Sequence, residues 1–261
     1  MMERSSVSVH RDARGVAVVT IDNRAKLNTL NTPVMTNLIA SAEQLAADPS
    51  LRAVVLRGAG DRAFIGGADI AEMARLDPSS AHRFITLVHR SCDVWRRLSV
   101  PVIARIEGWT LGAGLEVAAA CDMRVASSGS RFGMPEVRIG LPSVVEAALL
   151  PGLIGWGRTR RLLLSGDTID AATALAWCLV EEVVPADQLD AAVERLVESI
   201  LASGPHAVRL QKRLIQDWET MAVEAAIHHG IDAFVDAWTD DEPRRMMDAF
   251  MKRRRRKTTA S

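Results

Sequence analysis

The sequence predicts an α/β fold that carries an all-helical C-terminal region. Three observations lead there. Short, nearly continuous apolar runs rich in β-branched residues alternate with helical patterns through the first two thirds of the chain, as buried strands covered on both faces do. Beyond about residue 187 the strand signals stop and only helical spacing remains. The composition, 48% hydrophobic and 25% charged over 261 residues, is that of a globular chain able to bury a large core.

The elements follow in order. Residues 15–21 (GVAVVTI) read as a strand, closed by the turn pair Asp22-Asn23. Thr32-Pro33 opens a helix, with Thr32 as N-cap and Pro33 in the first position, that stops before Pro49. Residues 53–56 form a buried strand closed by Gly58. Asp69 and Glu72 form a D-x-x-E capping box at the start of a short helix. Residues 102–106 are a strand closed by Gly108, and a helix begins near Ala113, so apolar that it must be buried. A fourth strand spans 122–126, and Ser143-x-x-Glu146 reads as a second capping box.

Leu189, Val193, Leu196, Val197, Ile200 and Leu201 then recur at helical spacing until Gly204-Pro205 breaks the pattern. Further helices are expected over about 206–218, 222–238 and 243–252. The expected organisation is a core over 1–186, a helical region over 187–252 and a disordered basic tail over 253–261. No internal repeat is visible.

Composition excludes several functions. The 32 Lys+Arg balance 32 Asp+Glu, but residues 252–257 read KRRRRK; without those six the body holds 26 basic against 32 acidic residues. The body therefore lacks the basic stripe of a nucleic-acid binder. RNA binding through the tail is a distant alternative. Cys92, Cys121 and Cys178 form no CxxC pair, which argues against a disulfide framework or zinc site and favours a reducing, cytoplasmic setting. No apolar run has the length of a membrane span, and no signal peptide is expected. The chain has no tyrosine, so mechanisms that need a tyrosine hydroxyl are excluded.

The chemistry concentrates at two glycine-bearing turns. P-loop, HExxH and GxSxG motifs are absent, and the GxG of Gly112 and Gly114 lacks the third glycine of a dinucleotide fingerprint. In FIGGADIAEM (64–73) the glycines let a ligand approach the backbone and leave amides such as Ala68 N–H able to donate. In GWTLGAGLEVAAACD (108–122) the first amides of the buried helix have no partner within it and suit a developing oxyanion. Glu116 is the one charge of that helix, and a buried carboxylate needs a partner or a raised pKa. Glu136 follows Pro135 in FGMPEV; taken alone, a surface pair with Arg138 would account for it.

The ordered series FxxGADIxEM, GxxLGxGxE, ACDxRxA and FGxPE resembles the enoyl-CoA hydratase/isomerase family, the crotonases, over roughly residues 7–252. NRAKLNTL (23–30), LSGD (164–167) and residues 172–185, with Cys178 in a glycine place, extend the resemblance. It implies a crotonase-like ββα spiral core, an acyl-CoA substrate, no metal, and no cofactor beyond the CoA of the substrate. It implies an oxyanion hole from the N–H groups of Ala68 and Ala113. Glu116 is implied as the water-activating group and Glu136 as the proton donor, and Lys26, Gly66, Ala68, Asp69 and Ile70 as CoA contacts. The C-terminal helices imply a homotrimer or a dimer of trimers.

Retention of both glutamates points to hydration of a 2-enoyl-CoA, with isomerase or dehydratase chemistry as the alternative. One stretch departs from the family. Where many hydratases read LGxxPGxGGTQRL after the second glutamate, residues 139–151 here read IGLPSVVEAALLP, which reshapes the neighbourhood of Glu136. Glu146 is expected to cap a helix, with a third carboxylate at the site as the alternative. His82 and His89 are expected on a helix face, and His228 and His229 offer no metal-ligand spacing.

Overall fold

In the computed structural model, which describes residues 5–258, the chain alternates between two sheets. The six-stranded sheet runs in the order β1 (Ser6–Arg11), β2 (Val16–Asp22), β3 (Ala53–Gly58), β5 (Val102–Ile106), β7 (Met123–Ser127), β10 (Glu182–Val184). Only β1 and β2 pair antiparallel; the rest of that ladder is parallel. The four-stranded sheet runs β4 (Ala63–Ile65), β6 (Trp109–Leu111), β8 (Arg131–Gly133), β9 (Thr168–Asp170).

Each coil of the spiral therefore lays one strand in the first sheet, one in the second, and then turns away. The pairs β3–β4, β5–β6 and β7–β8 repeat this step. The first is followed by helices α2 (Ile70–Met73) and α3 (Pro78–Arg96), the second by α4 (Ala113–Ala120). This ββα repeat is the expected crotonase-like architecture. The sequence shows no trace of it because β4, β6 and β8 are three residues each, too short for a period to register.

The expected strands all form, and β5 is buried along its whole length, as a central parallel strand must be. α1 (Thr32–Ala46) forms as expected, but its N-cap is Asn31, whose side chain accepts Val34 N–H. Thr32 instead gives its own N–H and hydroxyl to Glu72. Half of the first capping box is thus borne out: Asp69 caps α2 through Ala71 and Glu72 N–H, while Glu72 turns away to α1.

Two compact units divide between Val197 and Glu198. That boundary falls later than 186 because the first turns of α7 (Leu189–Leu201) bury Leu189, Ala192, Val193 and Val197. The first unit also holds α5 (Leu150–Ser165) and α6 (Ala171–Ala176). In the second, α8 (Pro205–Trp218), α9 (Val223–Asp236) and α10 (Glu242–Thr258) form. Glu242 caps α8 from a distance by accepting His206 and Ala207 N–H.

The backbone of α10 stays helical to Thr258, so residues 253–258 extend a helix where a disordered tail is expected. Lys and Arg are good helix formers, and cations at a helix C-terminus meet the negative end of its dipole. Residues 259–261 of that tail lie outside the described residues.

Cys178 shows how the chain accommodates a lost glycine. It follows α6 with φ of 65°, Leu179 N–H reaches Ala174 O, and Cys178 N–H reaches Leu175 O. This is a Schellman motif with a side chain at the left-handed position, which costs roughly 1 kcal/mol. Cys178→Gly is expected to raise the unfolding free energy, read from urea titration as a higher midpoint, by up to roughly 1 kcal/mol, part of the gain being offset by unfolded-state entropy. A lowered midpoint would show that the thiol makes a compensating contact.

Candidate active site

Two loops leave the second sheet side by side, because β4 and β6 are parallel neighbours. The first loop is held from below by the turn at 23–31. Asn28 is buried and donates to Ala59 O and Ala63 O, while its side-chain oxygen accepts Asn23 N–H. Gly66 N–H donates to Leu27 O, Leu30 N–H to Gly67 O, and Asp69 N–H to Leu30 O. Neighbouring amides of an extended chain point to opposite sides. With Asp69 N–H turned to Leu30, Ala68 N–H faces away from it.

The second loop ends in Gly112, at φ 51° and ψ −123°, and α4 begins at Ala113. The left-handed strain falls on the glycine, so Ala113 needs no glycine's freedom. Gly114 lies so close to β4 that a Cβ there would overlap Ile65 O. This contact seats the N-terminus of α4 beside the first loop. Among the described residues neither Ala68 N–H nor Ala113 N–H meets a backbone acceptor.

The other end of α4 is clamped. Arg124 is buried, and its guanidinium donates to Ala118 O, Cys121 O and Leu179 O and pairs with Glu181. It satisfies carbonyls that the helix end leaves open. Asp122 accepts Val102 N–H at 2.7 Å. The ACDMR motif is therefore structural: it fixes the helix that carries the amides.

Glu116 lies one turn into α4 and is 4% exposed. Burial, then the carboxylates of Glu136 and Glu146, push its pKa up to about 8, opposed by the N–H of Ala147. Glu136 opens a short 3-10 turn, Glu136–Ile139, and is half-buried. Its carboxylate rests against Gly112, where any Cβ would overlap Oε1. Ser143 Oγ donates to its other oxygen at 2.7 Å. No pair forms between Glu136 and Arg138; Arg138 bonds Asp167 instead. The structure thus brings Glu116 and Glu136 together beside the two amides.

The second capping box is not formed. A 3-10 turn, Val145–Leu149, has Val144 at its N-cap position with no side-chain cap. Ser143 turns to Glu136, and Glu146, 7% exposed, turns inward to His89 Nδ1 at 2.7 Å. The cause is backbone: Val145 sits at φ 41°, which redirects the residues on either side of it. Burial pushes Glu146 up, and the His89 hydrogen bond and charge pull it back. His89 is thus more than a helix-face residue. Ser143, His89 and Glu146 are the site residues that sequence reasoning misassigns, because S-x-x-E is a sound local signal for a cap and carries no sign of the left-handed turn inside it.

Of the residues expected to contact CoA, Lys26 and Asp69 meet each other. Lys26 Nζ reaches Asp69 Oδ2 at 2.7 Å, and this bond holds the Asp69 carboxyl below the usual range. Ile70 is 61% exposed beside them. Among the described residues, His89, Asp93 and Glu146 are the one group of three whose ligand atoms lie within 4.8 Å of one another. Asp93 is bonded to Arg97 and His89 to Glu146, so the group is a hydrogen-bonded cluster rather than an open metal cage.

Residues 11–259 match the family described as enoyl-CoA hydratase/isomerase. The short-chain-enoyl-CoA hydratase of Clostridium acetobutylicum is 33% identical, covering 97% of both chains. The crotonyl-CoA hydratase of Syntrophomonas wolfei is 32% identical, covering 92% of this chain and 93% of its own. A crystal structure of enoyl-CoA hydratase from Bacillus anthracis superposes with a TM-score of 0.91 at 28% identity, over 95% of this chain and 96% of that one.

The close seat of Glu136 on Gly112 yields a test. Gly112→Ala is expected to displace the carboxylate and strain the turn, lowering turnover by on the order of 10²-fold with the fold retained by circular dichroism. Turnover within a few-fold of wild type would show that this contact does not position Glu136.

Proposed function

The chain belongs to the enoyl-CoA hydratase/isomerase family and is an enoyl-CoA hydratase, a hydro-lyase, and we propose that Glu116 and Glu136 share its acid/base work beside an oxyanion hole made by Ala68 and Ala113. The observation that carries this reading is a buried carboxylate, Glu116, that feels the charge of a second, Glu136, seated on Gly112 at the start of α4, next to two N–H groups with no backbone partner among the described residues.

In hydration, Glu116 takes a proton from water as its oxygen bonds Cβ of the 2-enoyl thioester. The double-bond electrons move to the thioester oxygen, where Ala68 and Ala113 N–H receive the charge. Glu136 then delivers a proton to Cα, and the carbonyl re-forms. Atoms balance: one water is added, and the pair ends with the number of protons it began with. Because the two groups interact, that single proton belongs to the pair rather than to one residue.

CoA is the only cofactor-like group required, carried by the substrate. Lys26 is suited to a CoA phosphate once it exchanges its bond to Asp69, with the backbone of Gly66, Ala68 and Asp69 and the exposed Ile70 along the CoA path. A homotrimer, or a dimer of trimers, is supported by Val223, Ile227, Ile231 and Phe234, exposed at helical spacing on α9. No helix among the described residues is long and apolar enough to cross a membrane. The three cysteines are free, which suits the cytoplasm.

Crotonyl-CoA is the first probe, since two relatives carry short-chain or crotonyl names. Loss of the conjugated-thioester absorbance with a product one water heavier is the expected outcome; double-bond migration without added mass would favour an isomerase. Glu116→Gln and Glu136→Gln should each lower the hydration rate by on the order of 10²–10⁴-fold. Near-normal hydration by either variant would overturn the assignment. Hydration also needs the pair's last proton, so kcat/KM should fall as pH rises through about 8, the value to which Glu116 is pushed. A profile still rising there would contradict the shared proton.

A further inference from the structure

Glu146 has no part in the steps above, yet the fold buries it beside them. It stands on the 3-10 turn Val145–Leu149, which packs against α4 and α3. The next residue, Ala147, donates its N–H to Val144 O and lies close enough to the Glu116 carboxylate for that N–H to favour its charged form. One oxygen of Glu146 accepts or shares the proton of His89 Nδ1, and the other, Oε2, is buried with no hydrogen-bond partner of normal geometry among the described residues, the thiol of Cys92 being the nearby polar group.

A buried carboxylate with half its capacity unmet is costly. So is the left-handed backbone of Val145, a β-branched residue, directly before it. Strain of this kind persists where surrounding structure enforces it, and it gathers at functional sites. His89 itself is on α3 with its ring about half exposed, so one end of the His89–Glu146 pair touches solvent and the other faces the catalytic carboxylate.

Every titratable group around Glu146 can be named. From α3 come His89, Cys92 and Asp93, the last bonded to Arg97. From α4 comes Glu116, and beyond it Glu136. The first two turns of α5, residues 150–157, carry no titratable side chain. His89 is thus the only group in this list able to bring a positive charge directly to Glu146, and Glu116 the only catalytic group in the list standing beside it.

We propose that Glu146, held by His89, is a positioning residue that fixes how tightly the Glu116–Glu136 pair keeps its proton. It touches neither water nor thioester in the steps above and acts through Glu116. A negative charge next to Glu116 disfavours a second one there, so the pair retains its proton to higher pH. His89 sustains that charge by hydrogen-bonding the ionised form. The inference rests on the acid/base reading of Glu116 and Glu136.

The test is the pH profile of kcat/KM for crotonyl-CoA with the full-length enzyme, wild type against Glu146→Gln, His89→Ala and the double variant. Glutamine keeps the shape of Glu146 and removes its charge, so the alkaline limb should move to lower pH by half a unit or more. His89→Ala leaves the Glu146 carboxylate in place and removes the partner that offsets its charge, so its limb should not fall below that of wild type. In the double variant His89→Ala should add nothing to Glu146→Gln, as two residues acting in series require. Glu146→Asp should return the limb toward wild type.

A purely structural role would lower stability or rate without moving the limb. An active wild type whose limb is unmoved, or moved upward, in Glu146→Gln overturns the inference alone. A wild type that does not hydrate the probe or any longer 2-enoyl-CoA instead overturns the functional reading beneath it. Should Glu146→Gln fail to fold, Glu146→Ala takes its place: a limb unmoved or raised there rejects the proposal.

Discussion

The active-site geometry depends on one close approach: the first turn of α4 against the backbone of β4, where Gly114 leaves no room for a Cβ beside Ile65 O. Through that contact the helix start of one spiral coil becomes the neighbour of the loop from the previous coil. Ala68 and Ala113 are 45 positions apart in sequence, yet the loop of one and the helix start of the other lie side by side through the contact of Gly114 with Ile65. The parallel pairing of β4 with β6 sets the spacing, and Arg124 at the far end of α4 keeps the helix from sliding. Amides presented by main chain in this way do not depend on side-chain identity, so an alanine is as suitable as a glycine at both positions.

The same burial that fixes the helix creates its chemistry. Glu116 is removed from water by an otherwise apolar helix, and two further carboxylates stand near it without a buried cation among them. In water, such a set would ionise independently. Here desolvation comes first and mutual repulsion second, so protons are retained to higher pH than a carboxylate ordinarily allows. Only weak polar contacts offset the charge: Ser143 at Glu136, His89 at Glu146, Ala147 N–H at Glu116.

Much of this was legible in the residues. The strands at 15–21, 53–56, 102–106 and 122–126 announced themselves because buried parallel strands are continuous apolar runs. Glu116 stood out because a charge in an apolar helix must be explained. The three-residue strands of the second sheet were not legible, since no period fits in three residues. Nor was the loop at 143–146, where a strong local capping signal lost to a left-handed valine and the pull of buried partners. The clamp by Arg124 was quoted within a family motif, but only the carbonyls it meets reveal that its task is to hold a helix. The helical continuation through 253–258 ran against the repulsion expected of six adjacent cations, and good helix propensity prevailed.

The raised pKa of Glu116 also ties catalysis to folding. In the unfolded chain this carboxyl returns to its ordinary value near 4.5, whereas the native fold holds its proton to about 8. Folding therefore takes up a proton throughout that interval. By linkage, the contribution of this residue to stability is whole below about 4.5 and is lost as pH climbs through about 8. Glu116 is thus a titratable weak point of the native state. Evolution toward a more alkaline working range would have to re-engineer the burial of α4 and the chemistry of its glutamate together.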